Sequence, residues 1–403
     1  MDRRQRLDIF LERIRNAYQG QDINALRALL NLQIVLDIPP QVDIERAVTS
    51  RLGPREYQSF SDAVIALVHR SQAFERLNLI ECFNHHLSLT KSLVKGDLWQ
   101  IAPGLFSDLR KIAAHADDQY YQAGQTPQAT DETSRYLMSQ FPVAPKEFLL
   151  NVSNELLRIA MKNNNPTSLK SVSDNMSRNP LELYPLPQRV IYNFFQGRIQ
   201  LFDSNFERAI EFLNFVYENC PSKCYSNRRL TLVSLVPLRM LHFRLPSVRL
   251  LTKYNLPQYL GIRLALKTGN VAKFRAALDE HQDFFIRAGV YMLLTRLEIL
   301  AFRCFVRRVH FLRGQELAAQ ARTPQAKQQA EQVASQVPIE EMAVALGALG
   351  HPIELPELEG ILALLVARGF IKGYLLHSKK LLVCSMITPF PPLRTTLQPS
   401  WWR

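Results

Sequence analysis

The chain has 403 residues, of which 49 are lysine or arginine and 36 are aspartate or glutamate, giving a formal net charge of +13. A hydrophobic fraction of 47% excludes wholesale disorder, and the length favours two or three domains. The 15 glycines are few for this length, which argues against glycine-rich phosphate-binding folds, and no apolar run is long enough to predict a membrane span.

Residues 1–182 are predicted to form an N-terminal helical solenoid, because apolar positions recur at three- and four-residue spacing. The predicted helices are 7–18, 23–32, 56–67, 77–93, 105–114 and 148–161. Polar segments at 37–43, 123–133 and 162–168 predict loops. Strand-like alternation is nearly absent, so this part of the chain is expected to be all-helical.

A helix-pair repeat is predicted within residues 190–221, VIYNFFQGRIQLFDSNFERAIEFLNFVYENCP. Gly197, Ala209 and Pro221 follow one another at twelve-residue intervals, which is typical of a tetratricopeptide unit. The two small residues let antiparallel helices approach closely, and the proline ends the second helix. Residues 203–205 are predicted to form the turn and to cap the second helix. Because one such unit cannot bury its own apolar face, residues 183–313 are predicted to continue as stacked helices.

Most of the excess positive charge belongs to residues 219–278, which contain eleven basic residues and no acid. Folding a like-charged segment is unfavourable through self-repulsion, so an acidic partner would stabilise it. The residues predicted to bind an acidic protein are Arg228, Arg229, Arg239, Arg244, Arg249 and Lys253. Nucleic acid is the second interpretation, and neutralisation by acids elsewhere in the fold is the third.

The segment 284–313 has the pattern of one long helix and carries a second group of basic residues. Arg303 and Arg307 share a helical face, and Arg308 and Arg313 lie nearby, so these four are candidate nucleic-acid contacts. The alternative is that these arginines have no ligand and only stabilise the C-terminal end of the helix through its dipole. Residues 314–336 are rich in alanine and glutamine and predict an exposed helix or flexible insert.

Residues 337–388 are predicted to form a winged helix: two short helices followed by two strand-like runs, 370–376 and 381–386. The wing offers Lys372, His377, Lys379 and Lys380 as candidate phosphate contacts. The alternative is that these lysines protect an edge strand. Acids at the start of the helix before the wing argue against that helix reading a major groove. The proline-rich residues 389–403 are predicted to be an extended tail.

A helical solenoid followed by a winged helix resembles the PCI-domain family of scaffold subunits. Within it, four segments resemble the branch shared by the nuclear-pore-associated transcription-and-mRNA-export complex and the signalosome-associated subunit twelve. They are LPQRVIYNFFQGRIQLFDSNFERA, SNRRLTLVSLVPLRML, FFIRAGVYMLL and GFIKGYLLHSKKLLVCSMITPFPPL. This match covers about 183–393, and a weaker one begins near Trp99.

The resemblance implies a non-enzymatic scaffold without a cofactor, belonging to the nucleus and the nuclear pore, with the cytoplasm left open. It implies pairing with a larger PCI-containing subunit and with a small, disordered, acidic protein shared with the proteasome lid. It also implies a composite surface for RNA or DNA. The acidic start of the helix before the wing predicts binding that is not sequence-specific, and the short apolar runs predict no membrane partner. The paralogous scaffold of a signalosome- or splicing-linked complex is the alternative, and a stand-alone winged-helix DNA-binding factor is a third.

Catalytic and metal sites are not predicted, although three short patterns contain residue types that such sites use. Cys82 and His86 lie four apart on a predicted helix, Cys220 and Cys224 are also four apart, and His115 and Asp117 resemble a hydrolase fragment. None has a second ligand cluster at zinc-site spacing, so structural or surface roles are expected for all three.

Overall fold

The computed structural model describes residues 3–30, 43–52, 58–320 and 332–392, together with the isolated residues 325 and 329. The chain divides into two compact units, Met1–Tyr192 and Asn193–Arg403, each with its own apolar core. No helix in the described ranges has the length and apolar character needed to cross a lipid bilayer.

The first unit is helical throughout its described residues. Its helices are α1 (Arg3–Gln19), α2 (Ile23–Leu29), α3 (Ile44–Leu52), α4 (Gln58–Glu75), α5 (Leu79–Lys95), α6 (Ala102–Gln122), α7 (Ala129–Gln140), α8 (Lys146–Lys162) and α9 (Pro166–Met176). Asparagine caps start two of them: the Asn78 side chain accepts from the Glu81 amide, and that of Asn165 from the Ser168 amide. The sequence missed α3, and the predicted loops at 123–133 and 162–168 overlap the starts of α7 and α9.

The start of α7 has an unusual cap that explains why its sequence looks like a loop. Asp117 of α6 accepts hydrogen bonds from the amides of Ala129 and Thr130 and from the Thr130 hydroxyl. The free N–H groups at the start of α7 are therefore capped by Asp117, which lies twelve positions before Ala129. The flanking residue Gln128 makes no side-chain cap. The acid of the His115 and Asp117 pattern thus has a structural role.

The second unit contains the predicted helix pair, followed by further helices. These are α10 (Leu186–Phe202), which spans the division between the units, α11 (Phe206–Asn219), α12 (Tyr225–Leu241), α13 (Val248–Lys253), α14 (Gln258–Thr268) and α15 (Val271–Glu280). A Cβ on Gly197 would lie 2.6 Å from Leu213 Cγ, which confirms the close approach of α10 and α11. The predicted cap of α11 is wrong in detail. The side-chain amide of Asn205 donates to Gln200 Oε1, and the side chain does not accept from a backbone N–H of α11.

The predicted long helix 284–313 is wrong: the structure divides it into α16 (Gln282–Ala288), α17 (Tyr291–Thr295) and α18 (Glu298–Gln320). The first break occurs at Gly289, whose φ of +71° is a left-handed conformation that terminates α16. Helix α18 runs through the predicted junction at 313, so residues 314–320 are helical and most of the remaining predicted insert lies outside the described residues.

The C-terminal part of the second unit is a winged helix. It comprises β1 (Gln336–Pro338), α19 (Ile339–Ala348), α20 (Leu355–Ala367), β2 (Gly373–Leu376) and β3 (Leu381–Cys384). The three strands are antiparallel in the order β1-β3-β2, with Pro338 opposite Leu381 and Gly373 opposite Cys384. The sequence predicted the two helices and the hairpin but missed β1, which begins in the predicted insert.

The predicted fold class, an α-solenoid of helical repeats followed by a winged helix, is thus confirmed. Of the predicted extended tail, residues 393–403 lie outside the described residues, while 389–392 are described. Those first tail residues lie against the fold: the Pro389 carbonyl accepts from the Lys372 amide, and the Phe390 ring meets that of His310 on α18.

Candidate basic interaction surfaces

The acid-free segment forms a row of cations along α12 and α13. At one end, Arg229 Nη2 lies 3.4 Å from the Asn255 carbonyl oxygen, which brings the start of α12 to the end of α13. At the other end, the Arg244 amide donates to the Arg239 carbonyl. Arg228 and Arg239 are eleven residues apart on α12, so the row is roughly 16 Å long at the helical rise of about 1.5 Å per residue. An extended polyanion fits such a row.

The row contains both exposed and engaged cations. Arg228 donates to the Cys220 carbonyl from Nε at 2.8 Å and from Nη2 at 2.6 Å, and stacks on the Tyr217 ring. Arg239 Nη2 donates to Asn214 Oδ1 at 2.6 Å. These two arginines are therefore tied into the fold. By contrast, Arg244, Arg249 and Lys253 are exposed, and the last two lie four residues apart on one face of α13.

Neutralisation by acids, the third interpretation of this segment, is nearly absent. Among the described residues, one ion pair involves a basic residue of 219–278, that between Arg275 and Glu298. The other engaged arginines bind carbonyl, amide or phenol oxygens, which accept hydrogen bonds without cancelling charge. Arg263, for example, donates to the Pro246 carbonyl at 2.7 Å. The positive charge of this surface therefore remains available to a partner.

The candidate nucleic-acid residues on α18 separate into three roles. Arg303 is buried, and its guanidinium donates to the carbonyls of Phe370 at 3.1 Å and Pro391 at 2.6 Å. Its prediction as a nucleic-acid contact is therefore wrong: the side chain joins α18 to the winged helix. Arg313 forms an ion pair with Glu341 of α19. Arg307 and Arg308 are exposed and form no ion pair with a described residue.

The wing carries its cations in two places. Lys372 precedes β2, and its amide donates to the Pro389 carbonyl, next to Phe390 and Pro391, which contact α18. The tip lies at the other end of the four-residue strand, about 13 Å away at roughly 3.3 Å per residue. At the tip, His377 Nδ1 lies 2.6 Å from Glu359 of α20, while Lys379 is exposed without an ion pair to a described residue.

Lys380 is also at the tip, where its ammonium is 3.2 Å from Glu340 of α19. Exposed pairs of this kind contribute about 0–1 kcal/mol, so a phosphate is able to replace the carboxylate at little energetic cost. The predicted wing residues are thus exposed, but the structure does not gather them into one cluster. The backbone of Lys372 is bonded next to residues that contact α18, and the other three residues form the tip.

The short patterns with metal-ligand residue types have structural explanations. His86 accepts a hydrogen bond from Arg70 and donates to a backbone carbonyl, so both of its ring nitrogens are engaged. Within the described ranges, no three His, Cys, Asp or Glu side chains gather closely enough to hold a metal ion.

The sequence also missed a cavity between α10 and α17, because its apolar lining residues are indistinguishable from core residues by pattern.

Comparison with known proteins identifies the family. PCI domain-containing protein 2 from Xenopus laevis is 30% identical over 342 residues, which cover 79% of this chain and 81% of the relative. The chain belongs to the PCI domain-containing protein 2 family. Enhanced ethylene response protein 5 from Arabidopsis thaliana is 29% identical over 410 residues, 96% of each protein.

A more distant branch is also represented. The CSN12 homologue of Gibberella zeae is 29% identical over 229 residues, covering 56% of this chain and 49% of that protein. No family model matches the chain. The predicted resemblance to the PCI family is confirmed, and a PCI scaffold subunit is the class of protein that these relatives indicate.

Proposed function

We propose that the chain is a non-enzymatic scaffold subunit of a transcription-coupled mRNA-export complex in the nucleus, at the nuclear pore. In this role it pairs with a larger PCI-containing subunit, holds a small acidic disordered protein, and contributes basic residues to a surface for RNA or DNA. The observation that carries the proposal is the row of cations along α12, α13 and the loop between them, which no described acid compensates and in which Arg244, Arg249 and Lys253 are exposed, in a PCI-family chain. A row without acids is well suited to an acidic ribbon-like partner.

Purification of the tagged chain from its native cells tests this proposal. We expect a larger PCI-containing protein and a small acidic protein to co-purify. Changing Arg244, Arg249 and Lys253 to glutamate should remove the small acidic protein and leave the larger partner bound. The matched control changes Lys146, Lys162 and Lys170, exposed lysines of the first unit, to glutamate and alters the net charge equally. Loss of the acidic protein from both variants, or from neither, contradicts its assignment to the row.

The alternative is the paralogous PCI scaffold of a signalosome- or splicing-linked complex. Its support is the similarity to the Gibberella zeae CSN12 homologue, over a smaller share of the chain than the PCI domain-containing protein 2 relatives. The same purification separates the two functions, because signalosome subunits in place of an export partner establish the alternative. A stand-alone DNA-binding factor would instead purify without stoichiometric partners.

A further inference from the structure

A cavity of about 530 Å³ opens in the second unit where the turn between α10 and α11 meets α17. Its walls are mostly apolar, formed by Leu201, Phe202, Ser204, Phe206, Ile286, Gly289, Tyr291, Met292, Leu293 and Arg296. The break of the helical run at Gly289 creates it: a Cβ there would stand 3.0 Å from the Phe202 ring. The volume falls within the range of about 300–1,000 Å³ that is usual for ligand pockets.

Three large apolar side chains that line the cavity are left exposed to solvent. Phe202 is 51% exposed, Ile286 is 53% exposed, and Met292 is 72% exposed. Single exposed apolar residues are common on protein surfaces, but several around one concavity are typical of interaction sites. The walls therefore provide apolar area that a bound side chain would remove from water.

Two guanidinium groups flank this apolar surface. Arg198 stacks on Phe202 at 5.4 Å between guanidinium carbon and ring centroid, and Arg296 stacks on Phe206, also at 5.4 Å. The Nε of Arg198 is buried and has no hydrogen-bond partner among the described residues. No acid is among the lining residues, and Arg198 forms no ion pair with a described residue. The Nη2 of the same guanidinium lies 3.6 Å from the position of a Cβ on Gly289 in the cavity wall, so a ligand carboxylate there would pair with the charge of Arg198.

We propose that this cavity binds a linear segment of a partner protein that inserts one large apolar side chain beside a carboxylate. The apolar walls take the anchor side chain, and Arg198 pairs with the flanking acid. Charge complementarity favours an acidic segment over a basic or neutral one, because Arg198 beside the apolar walls is a cation without an ion pair to a described residue. The cavity is separate from the cation row on α12 and α13, so the proposal does not rest on the proposed function.

Binding of synthetic peptides to the full chain tests the proposal by fluorescence anisotropy. The probes are labelled Gly-Glu-Asp-X-Asp-Glu-Gly peptides in which X is phenylalanine, leucine or tryptophan. At least one should bind, about tenfold more tightly than the peptide with alanine at X and the peptide with amides replacing the acids. The proposal is overturned if none of the three binds better than these two reference peptides.

Variants of the chain then locate the site. Met292→Gln should weaken peptide binding about tenfold, and because this side chain is largely exposed the variant is expected to fold normally. Arg198→Gln should remove the preference for acids while leaving the preference for a large anchor. The matched control is Met386→Gln, an exposed methionine near the wing, which should bind as the unmodified chain does. Equal weakening by both methionine changes would contradict the assignment.

A second copy of this chain is the competing occupant of the cavity. Sedimentation equilibrium of the full chain distinguishes it. A monomer that binds the peptide supports the proposal, whereas a dimer that dissociates in the Met292→Gln variant overturns it in favour of self-association.

Discussion

His86 is held neutral in the core of the first unit. Arg70 Nη1 lies 3.0 Å from His86 Nδ1, and His86 Nε2 lies 3.2 Å from the Leu105 carbonyl oxygen. Because a guanidinium only donates, Nδ1 accepts and the ring proton is on Nε2, from which it is donated to the carbonyl. Burial, and then the charge of Arg70, lowers the pKa of His86 to about 3. One imidazole thus joins residues of α4, α5 and α6.

Acid should therefore destabilise the first unit well above the pH at which carboxylates titrate. The unfolded chain protonates His86 near pH 6.5 and the folded chain near pH 3, so stability is lost as the pH falls through that window. At pH 5 the loss from this residue relative to pH 7 is about 2 kcal/mol in the free energy of unfolding. Urea denaturation at the two pH values should show a smaller loss for His86→Gln than for the unmodified chain.

The control for this prediction is Asn84→Gln on the same helix as His86, because that side chain is exposed and neither asparagine nor glutamine titrates. This variant should keep the pH dependence of the unmodified chain. Other buried histidines contribute equally to all three proteins, so the difference between them reports His86. An unchanged dependence in His86→Gln would show that the buried hydrogen bonds do not control acid stability.

Arg303 is a second buried cation, and its loss should destabilise the second unit. Arg303→Met removes the donors to the Phe370 and Pro391 carbonyls and leaves both acceptors unsatisfied. We expect a decrease of about 2–4 kcal/mol in the free energy of unfolding, measured by urea denaturation. Arg307→Met, one turn along α18 and exposed, should change it by less than about 0.5 kcal/mol. Equal decreases in the free energy of unfolding for the two variants would contradict the structural role of Arg303.

At the scale of elements, the close packing of α10 against α11 should respond to a single methyl group. Gly197→Ala places a Cβ 2.6 Å from Leu213 Cγ, and overpacking of this kind costs about 1–3 kcal/mol. Gly360→Ala is the matched control: this glycine of α20 has nothing within 4 Å, so alanine should stabilise the helix by up to about 1 kcal/mol. Thermal unfolding should therefore shift in opposite directions, and a shift in the same direction would contradict the tight interface.

The elements that the sequence predicts correctly are those specified by nearby residues. Gly197 and Ala209 indicate the α10–α11 pair because the packing of neighbouring helices depends on a short repeat. The run 284–313 misleads because its apolar spacing continues across Gly289, where a left-handed backbone ends α16. Strand β1 was missed because three residues without a clear pattern become a strand only by pairing with β3, over forty residues later.

The same reasoning explains the candidate sites. The charge census located the row on α12 and α13, since an absence of acids is visible in the sequence. The helical spacing of Arg303 and Arg307 misassigned Arg303, because the carbonyls that its guanidinium binds lie 67 and 88 residues further along the chain. The cavity beside Arg198 was beyond prediction, because Phe202 and Met292 look like core residues until the fold leaves them exposed. Local pattern thus predicts charge and periodicity, while tertiary packing decides which side chains remain available.

At the scale of the whole molecule, the proposed nucleic-acid surface makes a prediction about the cations of the wing. Changing Lys372, Lys379 and Lys380 to glutamate should weaken RNA binding by the assembled complex. The slope of the logarithm of the RNA-binding constant against the logarithm of salt concentration should also become shallower. The expected change is about 0.7 for each phosphate of single-stranded RNA that the variant no longer neutralises. Filter binding over a range of salt concentrations measures both. The lysine triple of the first unit, Lys146, Lys162 and Lys170, is again the control of equal charge change.

Unaltered RNA affinity and salt slope in the wing variant would exclude the wing as a nucleic-acid surface. A similar weakening in both triple variants would show that net charge, and not the position of the cations, governs binding. The first result would leave the exposed pair Arg307 and Arg308 on α18 as the next residues to change.

The two carbonyls held by Arg303 stand on either side of the wing, so one guanidinium closes a loop of roughly twenty residues. The pairing of β2 with β3, whose outermost pair is Gly373 and Cys384, closes a shorter loop nested within it. Once the Arg303 hydrogen bonds have closed the outer loop, the two strands are already close together, and the converse also holds. The entropic cost of loop closure, on the order of 3 kcal/mol for either set of contacts alone, is therefore largely shared between them. Opening of the wing and its release from α18 are therefore thermodynamically coupled. Amides of β2 and β3 should exchange their hydrogens in a single cooperative event together with the opening of the Arg303 hydrogen bonds.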